Sequence, residues 1–146
     1  MSPALSTSRP LALLHRGTAY DPWQHAEALE LQVLHRPIKD ANALWMPDHH
    51  TIVIRSGLGY VRERTALAHG IGHAELGHID DRLEHELGAD QYAAINLISP
   101  IEFDYATRRN NNMVTISREL RVTRRLLDSY LALVGRVGRI ASALPS

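Results

Sequence analysis

The residues best suited to chemistry are His69 and His73, in the run His69-Gly70-Ile71-Gly72-His73. Two imidazoles four residues apart on a helix share a face, with Cβ atoms roughly 5–6 Å apart. That separation lets both bind one tetrahedral Zn²⁺. The spacing is that of H-E-x-x-H, in which the glutamate acts as general base on the metal-bound water. Here glycine stands in its place, at Gly70. Losing general acid–base catalysis typically costs about 10²–10⁴-fold in rate. Neither nearby glutamate replaces the base. Glu75 lies about 240° round the helix from His69, whereas position 70 lies at about 100°. Glu63 has nearly the right phase but sits roughly 10 Å away along the axis. The expectation is a retained metal site, proteolysis nearly lost, and spare room at Gly70 where a carboxylate would stand.

A third ligand should come from the next helix, whose candidates are Asp80, Asp81, Glu84, Glu86 and Asp90. Glu86 and Asp90 are four apart and share a face. Glu86 could bind the ion while Asp90 accepts the far N–H of a ligating histidine; the competing reading makes both solvated surface acids. His78 points away within a continuous helix and comes round only if the helix ends near Gly77. His85 reads as a surface residue and His49-His50 as a solvated turn. His15, His25 and His35 share no face and receive no role. Tyr92 and Tyr105 are candidate hydrogen-bond donors to a tetrahedral oxyanion, with core packing beside Ala93 the competing reading for Tyr92. Trp23, Trp45 and Phe103 read as core.

The elements that must position these groups follow from caps, breakers and periodicity. Asp21-Pro22 opens a helix running to about Glu30, with Asp as cap and Pro at the first position. Leu31, Val33 and Ile38 suggest a short strand ended by Pro37. Trp45-Met46-Pro47-Asp48 reads as a strand end and turn, and Thr51–Arg55 as a β-branched, edge-type strand. The motif helix is expected over Val61–Ile79. Its glycines at 70, 72 and 77 each cost roughly 1 kcal/mol relative to alanine, which implies close packing against neighbours. A ligand helix spans about Asp81–Leu97, stopping before Pro100. Asn110–Asn112 is a loop, followed by helices around Ser117–Leu120 and over Thr123–Val137.

Composition sets the outer limits. The 146 residues are 45% hydrophobic and 22% charged, ordinary for a globular chain. With no cysteine, disulfides and thiolate metal sites are excluded, so any metal must use histidine and carboxylate. No apolar run approaches the roughly 20 residues that cross a bilayer, so a cytoplasmic protein is expected. The zero net charge hides an asymmetry, because residues 105–146 carry eight arginines against only Glu119 and Asp128. Three regions are expected: a flexible tail over 1–17, the metal-site domain over 18–104, and a basic helical segment over 105–146.

Taken together, Glu63-Arg-Thr-Ala-Leu-Ala-His69-Gly-Ile-Gly-His73 and Glu86-Leu-Gly-Ala89-Asp90-Gln-Tyr92-Ala93-Ala94 resemble the ImmA/IrrE family of metallo-endopeptidases. The family pattern is close to L-A-H-E-L-G-H, then E-x-x-A-[ND]-x-[FY]-A-A and an apolar stretch ending in Pro; Leu97-Ile98-Ser99-Pro100 fits that end loosely. The resemblance covers roughly residues 18–104 and is closest to the short versions carried by phages and mobile elements. It implies an α+β, zincin-like fold with a short sheet, a motif helix and a ligand helix. It also implies zinc on His69, His73 and Glu86, and DNA-binding repressor proteins as substrates. The departure is Gly70, which points to a weakly active or inactive form.

The basic segment resembles a helix-turn-helix. Leu120 and Val122 would pack at the turn, Thr123 would cap the second helix, and Leu126, Leu127, Tyr130 and Leu131 would bury. Arg118, Arg121, Arg124 and Arg125 would then meet DNA or a protein partner. An ordinary helical hairpin that recognises the repressor or caps the core gives the same pattern and is favoured. The alternatives to a peptidase are a non-catalytic scaffold that binds a regulatory partner, and a DNA-binding regulator acting through residues 113–137.

Overall fold

The computed structural model describes residues 19–143, with side chains through Arg136. The expected tail over 1–17, and His15 with it, lies outside the described residues. Chain order is α1 (Pro22–Ala28), β1 (Gln32–Arg36), β2 (Ala43–Met46), a 3₁₀ turn (Pro47–His49), β3 (Thr51–Arg55), α2 (Tyr60–Glu75), α3 (Leu83–Leu97), α4 (Pro100–Arg109), α5 (Met113–Leu120) and α6 (Arg124–Ala143). The fold is α+β. No helix among the described residues is long and apolar enough to cross a membrane.

The sheet has the order β1-β3-β2, with β1 parallel and β2 antiparallel to β3. Thr51–Arg55 is therefore the central strand, not an edge. Its first four residues are buried, as a continuous apolar run requires when both faces are covered. The edge beside the motif helix belongs to β2.

Helix α2 lies between two apolar clusters. On the sheet side, Ala66, Leu67 and Ile71 pack with Ala26, Leu31, Ile52 and Ile54. On the other side, Ala68 joins Ala93, Ala94 and Leu97 of α3 with Ile116, Leu120, Leu126 and Leu127 of the C-terminal helices. Residues on both sides of position 104 thus share one cluster. Trp23 and Trp45 pack on the first cluster and Phe103 on the second.

Such close layering explains two of the motif glycines. A Cβ on Gly72 would meet the Ala89 carbonyl oxygen at 2.9 Å and its Cα at 3.1 Å, so α2 and α3 cross backbone to backbone there. A Cβ on Gly70 would meet Ile52 Cγ2 at 2.7 Å, inside any normal van der Waals contact. There is no spare room at Gly70, contrary to the expectation from sequence. Ile52, fully buried on β3, fills the space that a side chain at 70 would enter.

Several caps follow the sequence. Asp21 Oδ1 accepts from Trp23 N at 2.9 Å and Gln24 N at 3.3 Å. Thr123 Oγ1 accepts from Leu126 N at 3.2 Å. The short turn over 121–123 joins α5 to α6, with Leu120 and Val122 buried at it.

His25 acquires a structural place. Its side chain is buried, and the Tyr20 hydroxyl lies 2.6 Å from its Nδ1. Burial lowers its pKa from the ordinary 6.5. The unfolded chain therefore takes up this proton more readily than the folded one, and stability falls as pH drops below about 6.5. Thermal melts between pH 7.5 and 5 should fall more steeply for the parent than for His25→Asn, which keeps an acceptor near Nδ1 but does not titrate. Equal slopes would remove His25 as a source of acid sensitivity.

Candidate metal centre

Three ligand atoms converge at the face of α2 turned to α3. His69 Nε2 and His73 Nε2 lie 3.1 Å apart; Glu86 Oε1 is 3.1 Å from the first and Glu86 Oε2 is 2.8 Å from the second. These three residues form a group that could hold a metal ion. Of the five carboxylates considered as third ligand, Glu86 is the one in this group. Asp80 instead engages His85 and Arg82, and Glu84 lies 3.6 Å from Arg82.

The surroundings fix the protons. His69 Nδ1 lies 2.7 Å from Asp90 Oδ1. An ionised carboxylate only accepts, so the proton sits on Nδ1 and Nε2 offers its lone pair. Asp90 is buried, which opposes its ionisation. The His69 ring and the Arg125 guanidinium, whose Nε and Nη2 each lie 3.1 Å from Oδ2, outweigh that and hold its carboxyl below the ordinary range. At His73, burial and then the neighbouring His69 ring lower the pKa. In the tautomer protonated at Nδ1, neutral His73 turns a second lone pair toward the first. Two lone pairs and a carboxylate about 3 Å apart repel one another unless a proton or a metal ion lies between them. Ligands of tetrahedral zinc, at about 2.0–2.2 Å from the metal, stand roughly 3.3–3.5 Å apart, so the group fits a small divalent ion after shifts of a few tenths of an ångström. Its N₂O donor set suits zinc and other late first-row metals.

Sequence reasoning placed His78 outside this centre because it extended the motif helix to Ile79. The helix ends at Glu75. Gly77 is left-handed at φ +70°, its N–H bonds to the Ala74 carbonyl, and the His78 N–H bonds to the His73 carbonyl at 3.0 Å. These are the two bonds of a Schellman motif, for which a glycine at that position is the usual signal. The reversal sets His78 Nδ1 2.9 Å from His73 Nδ1. His85, expected on the surface, stacks on the His78 ring at 4.1 Å between centroids and bonds through Nδ1 to Asp80 at 2.6 Å. Trp45 Nε1 donates to the His78 carbonyl at 3.1 Å. His49 and His50 sit exposed in the turn before β3, and His35 pairs with Glu63 at 3.3 Å.

The remaining candidates are engaged by other side chains or exposed. The Tyr92 hydroxyl donates to Glu75 at 3.4 Å. Tyr105 is exposed on α4 under the Arg109 guanidinium. Glu63 and Glu75, already rejected as bases by helical phase, are thus engaged with other side chains. Of the arginines singled out, Arg125 is held by Asp90 and Arg124 pairs with Asp128 at 3.0 Å. Arg121 gives its carbonyl to buried Arg64 at 2.6 Å, and Arg118 is exposed on α5.

Two clefts open beside the ligands, both lined by Ala43 and Glu86. One of about 190 Å³ runs past His69 to Arg62, Thr123 and Arg125. The other, of about 230 Å³, runs past His73 to Trp45, Ile79 and Asp81. Comparison with protein-family models and with curated proteins returns no match for this chain.

Proposed function

We propose that this protein is a zinc-centred chain of the ImmA/IrrE metallo-endopeptidase type, directed at a DNA-binding repressor, in which turnover is nearly lost. The observation that carries the reading is the convergence of His69, His73 and Glu86 from two adjacent helices beside an open edge strand. The fold is then zincin-like, with α2 as motif helix and α3 as ligand helix. Bound zinc would supply Lewis-acid polarisation of a carbonyl and a water of lowered pKa. The chain's own residues hold the ion and orient the His69 ring through Asp90 and Arg125. Among the described residues β2 pairs with β3 alone, and its other edge, beside both clefts, suits an extended segment of a protein partner. At Gly70 no general base is present, and buried Ile52 fills the adjoining space. Binding of the repressor therefore outlasts its hydrolysis.

Recognition of DNA through α5 and α6 is the alternative reading. Arg125, at the start of α6 where base or phosphate contacts would arise, pairs with Asp90 while its side chain stays largely exposed.

The test is metal analysis of protein purified without added zinc, followed by incubation with DNA-binding repressor proteins. One zinc per chain is expected, lost in His69→Ala, with complex formation and little or no cleavage. Absence of metal from parent protein after zinc loading sinks the ligand assignment. Multiple-turnover cleavage by the parent sinks the inactive reading.

A further inference from the structure

The contact between His73 and His78 has no counterpart in the ligand set and is not used by any of the roles above. Both rings present Nδ1, at 2.9 Å, so one nitrogen donates and the other accepts. If His73 accepts, its own proton must sit on Nε2, where it points at Glu86 and His69 and blocks the ligand atom. If His73 donates, Nε2 is bare and faces the other two ligands. Glu86 Oε2, 2.8 Å from Nε2, accepts in the first arrangement and His78 accepts in the second, which is the one an ion at Nε2 requires.

We propose that His78 is a positioning residue of the metal centre: as acceptor at Nδ1, it holds His73 in the tautomer that offers Nε2 to the ion. This rests on the reading of His69, His73 and Glu86 as metal ligands. Three features hold the His78 ring against His73. The Schellman turn at Gly77 ties its backbone N–H to the His73 carbonyl, the same residue its ring meets. Trp45 holds its carbonyl from β2. The His85 ring, anchored to Asp80, lies flat against it with an interplanar angle of 12°. His69 is served by a carboxylate and His73 by an imidazole, so both ligating rings are oriented through Nδ1 but by groups of different charge. A neutral acceptor beside His73 adds no third negative charge to a centre that already holds Glu86 and Asp90.

The test compares His78→Ala, His78→Phe and His78→Asn in the full chain. The amide oxygen of asparagine falls near the place of Nδ1 and accepts a hydrogen bond, whereas alanine and phenylalanine offer no acceptor. Zinc affinity is read by competition with a chromophoric chelator, and the His73 tautomer by ¹⁵N chemical shifts of the zinc-free protein. Loss of a partner to a ligating histidine typically costs about 10–100-fold in metal affinity. The alanine and phenylalanine variants should show that loss and a mixed His73 tautomer, and asparagine should restore both. Circular dichroism melts identify a variant that has merely failed to fold, and asparagine then decides. Ala and Phe variants that bind zinc like the parent overturn the proposal while leaving the ligand assignment intact. A parent that binds no zinc overturns both. Equal weakening in all three variants, asparagine included, reduces His78 to a packing residue.

Discussion

Gly70→Glu, the substitution that would complete H-E-x-x-H, is expected to destabilise the protein and not to awaken it. A Cβ at position 70 already falls 2.7 Å from Ile52 Cγ2 and 3.2 Å from its Cδ1, and Ile52 is fully buried at the centre of the sheet. Overpacking a core of this kind costs about 1–3 kcal/mol, and a carboxylate pressed against apolar side chains adds to that. At roughly 2–4 °C per kcal/mol for a chain of this size, the overpacking alone should lower the melting temperature by about 2–12 °C. The clash has a named partner, so a double-mutant cycle resolves it. Ile52→Ala alone should cost about 2–5 kcal/mol through the cavity it leaves. Combined with Gly70→Glu it should cost less than the sum, by about 0.5–3 kcal/mol, because each change relieves the other. Peptidase activity, if the scaffold still supports it, should appear in the double variant before it appears in Gly70→Glu. A single variant as stable as the parent would refute the close approach of α2 to β3.

That close approach shows where sequence reasoning stops. The cost of glycine in a helix pointed correctly to tight packing around α2, and Gly72 against Ala89 is its clearest instance. The partner at Gly70 was not legible, because helical phase says which way a residue points and not which strand lies opposite. Reading Thr51–Arg55 as an edge removed Ile52 from consideration. The unbroken β-branched run Thr51-Ile52-Val53-Ile54, with no polar alternation beyond Thr51, is the sign in the sequence of a central position.

Two other differences had local signals that were passed over. Gly77 was counted as a costly interior glycine, although Leu76-Gly77 after an amphipathic run is a common helix stop, and the stop is what brings His78 to His73. Helix α4 is an addition to the sequence expectation, because Pro100 both ends the ligand helix and starts the next one. Ser99-Pro100-Ile101-Glu102 carries a capping residue, a proline at the first position and an acid three residues after the cap. By contrast, i, i+4 spacing put Glu86 and Asp90 on one face of α3; that this face meets the two histidines was what the family resemblance implied, since spacing alone left five carboxylates open. The role of Arg125 did need it, since it lies 35 residues beyond the aspartate it meets.

Glu86→Gln should separate the two demands on the ligand group, because binding and folding respond to it in opposite directions. Without metal, the folded chain confines a carboxylate and two ligand nitrogens within about 3 Å, with His73 and Asp90 largely buried. Removing the negative charge lessens that repulsion, and the amide N–H₂ can donate to an imidazole lone pair. Metal-free Glu86→Gln is therefore expected to melt no lower than metal-free parent. Zinc reverses the order. A ligand present at 100 times its Kd stabilises the native state by about 2.7 kcal/mol, and the parent should gain roughly 5–11 °C at that excess. Glu86→Gln, with the charged ligand gone, should gain almost nothing at the same concentration. Melts of both proteins with chelator and with zinc provide the four numbers. A metal-free variant that melts well below the parent would mean that Glu86 is held for folding. A variant that keeps the zinc-dependent gain would mean that the ion is bound elsewhere.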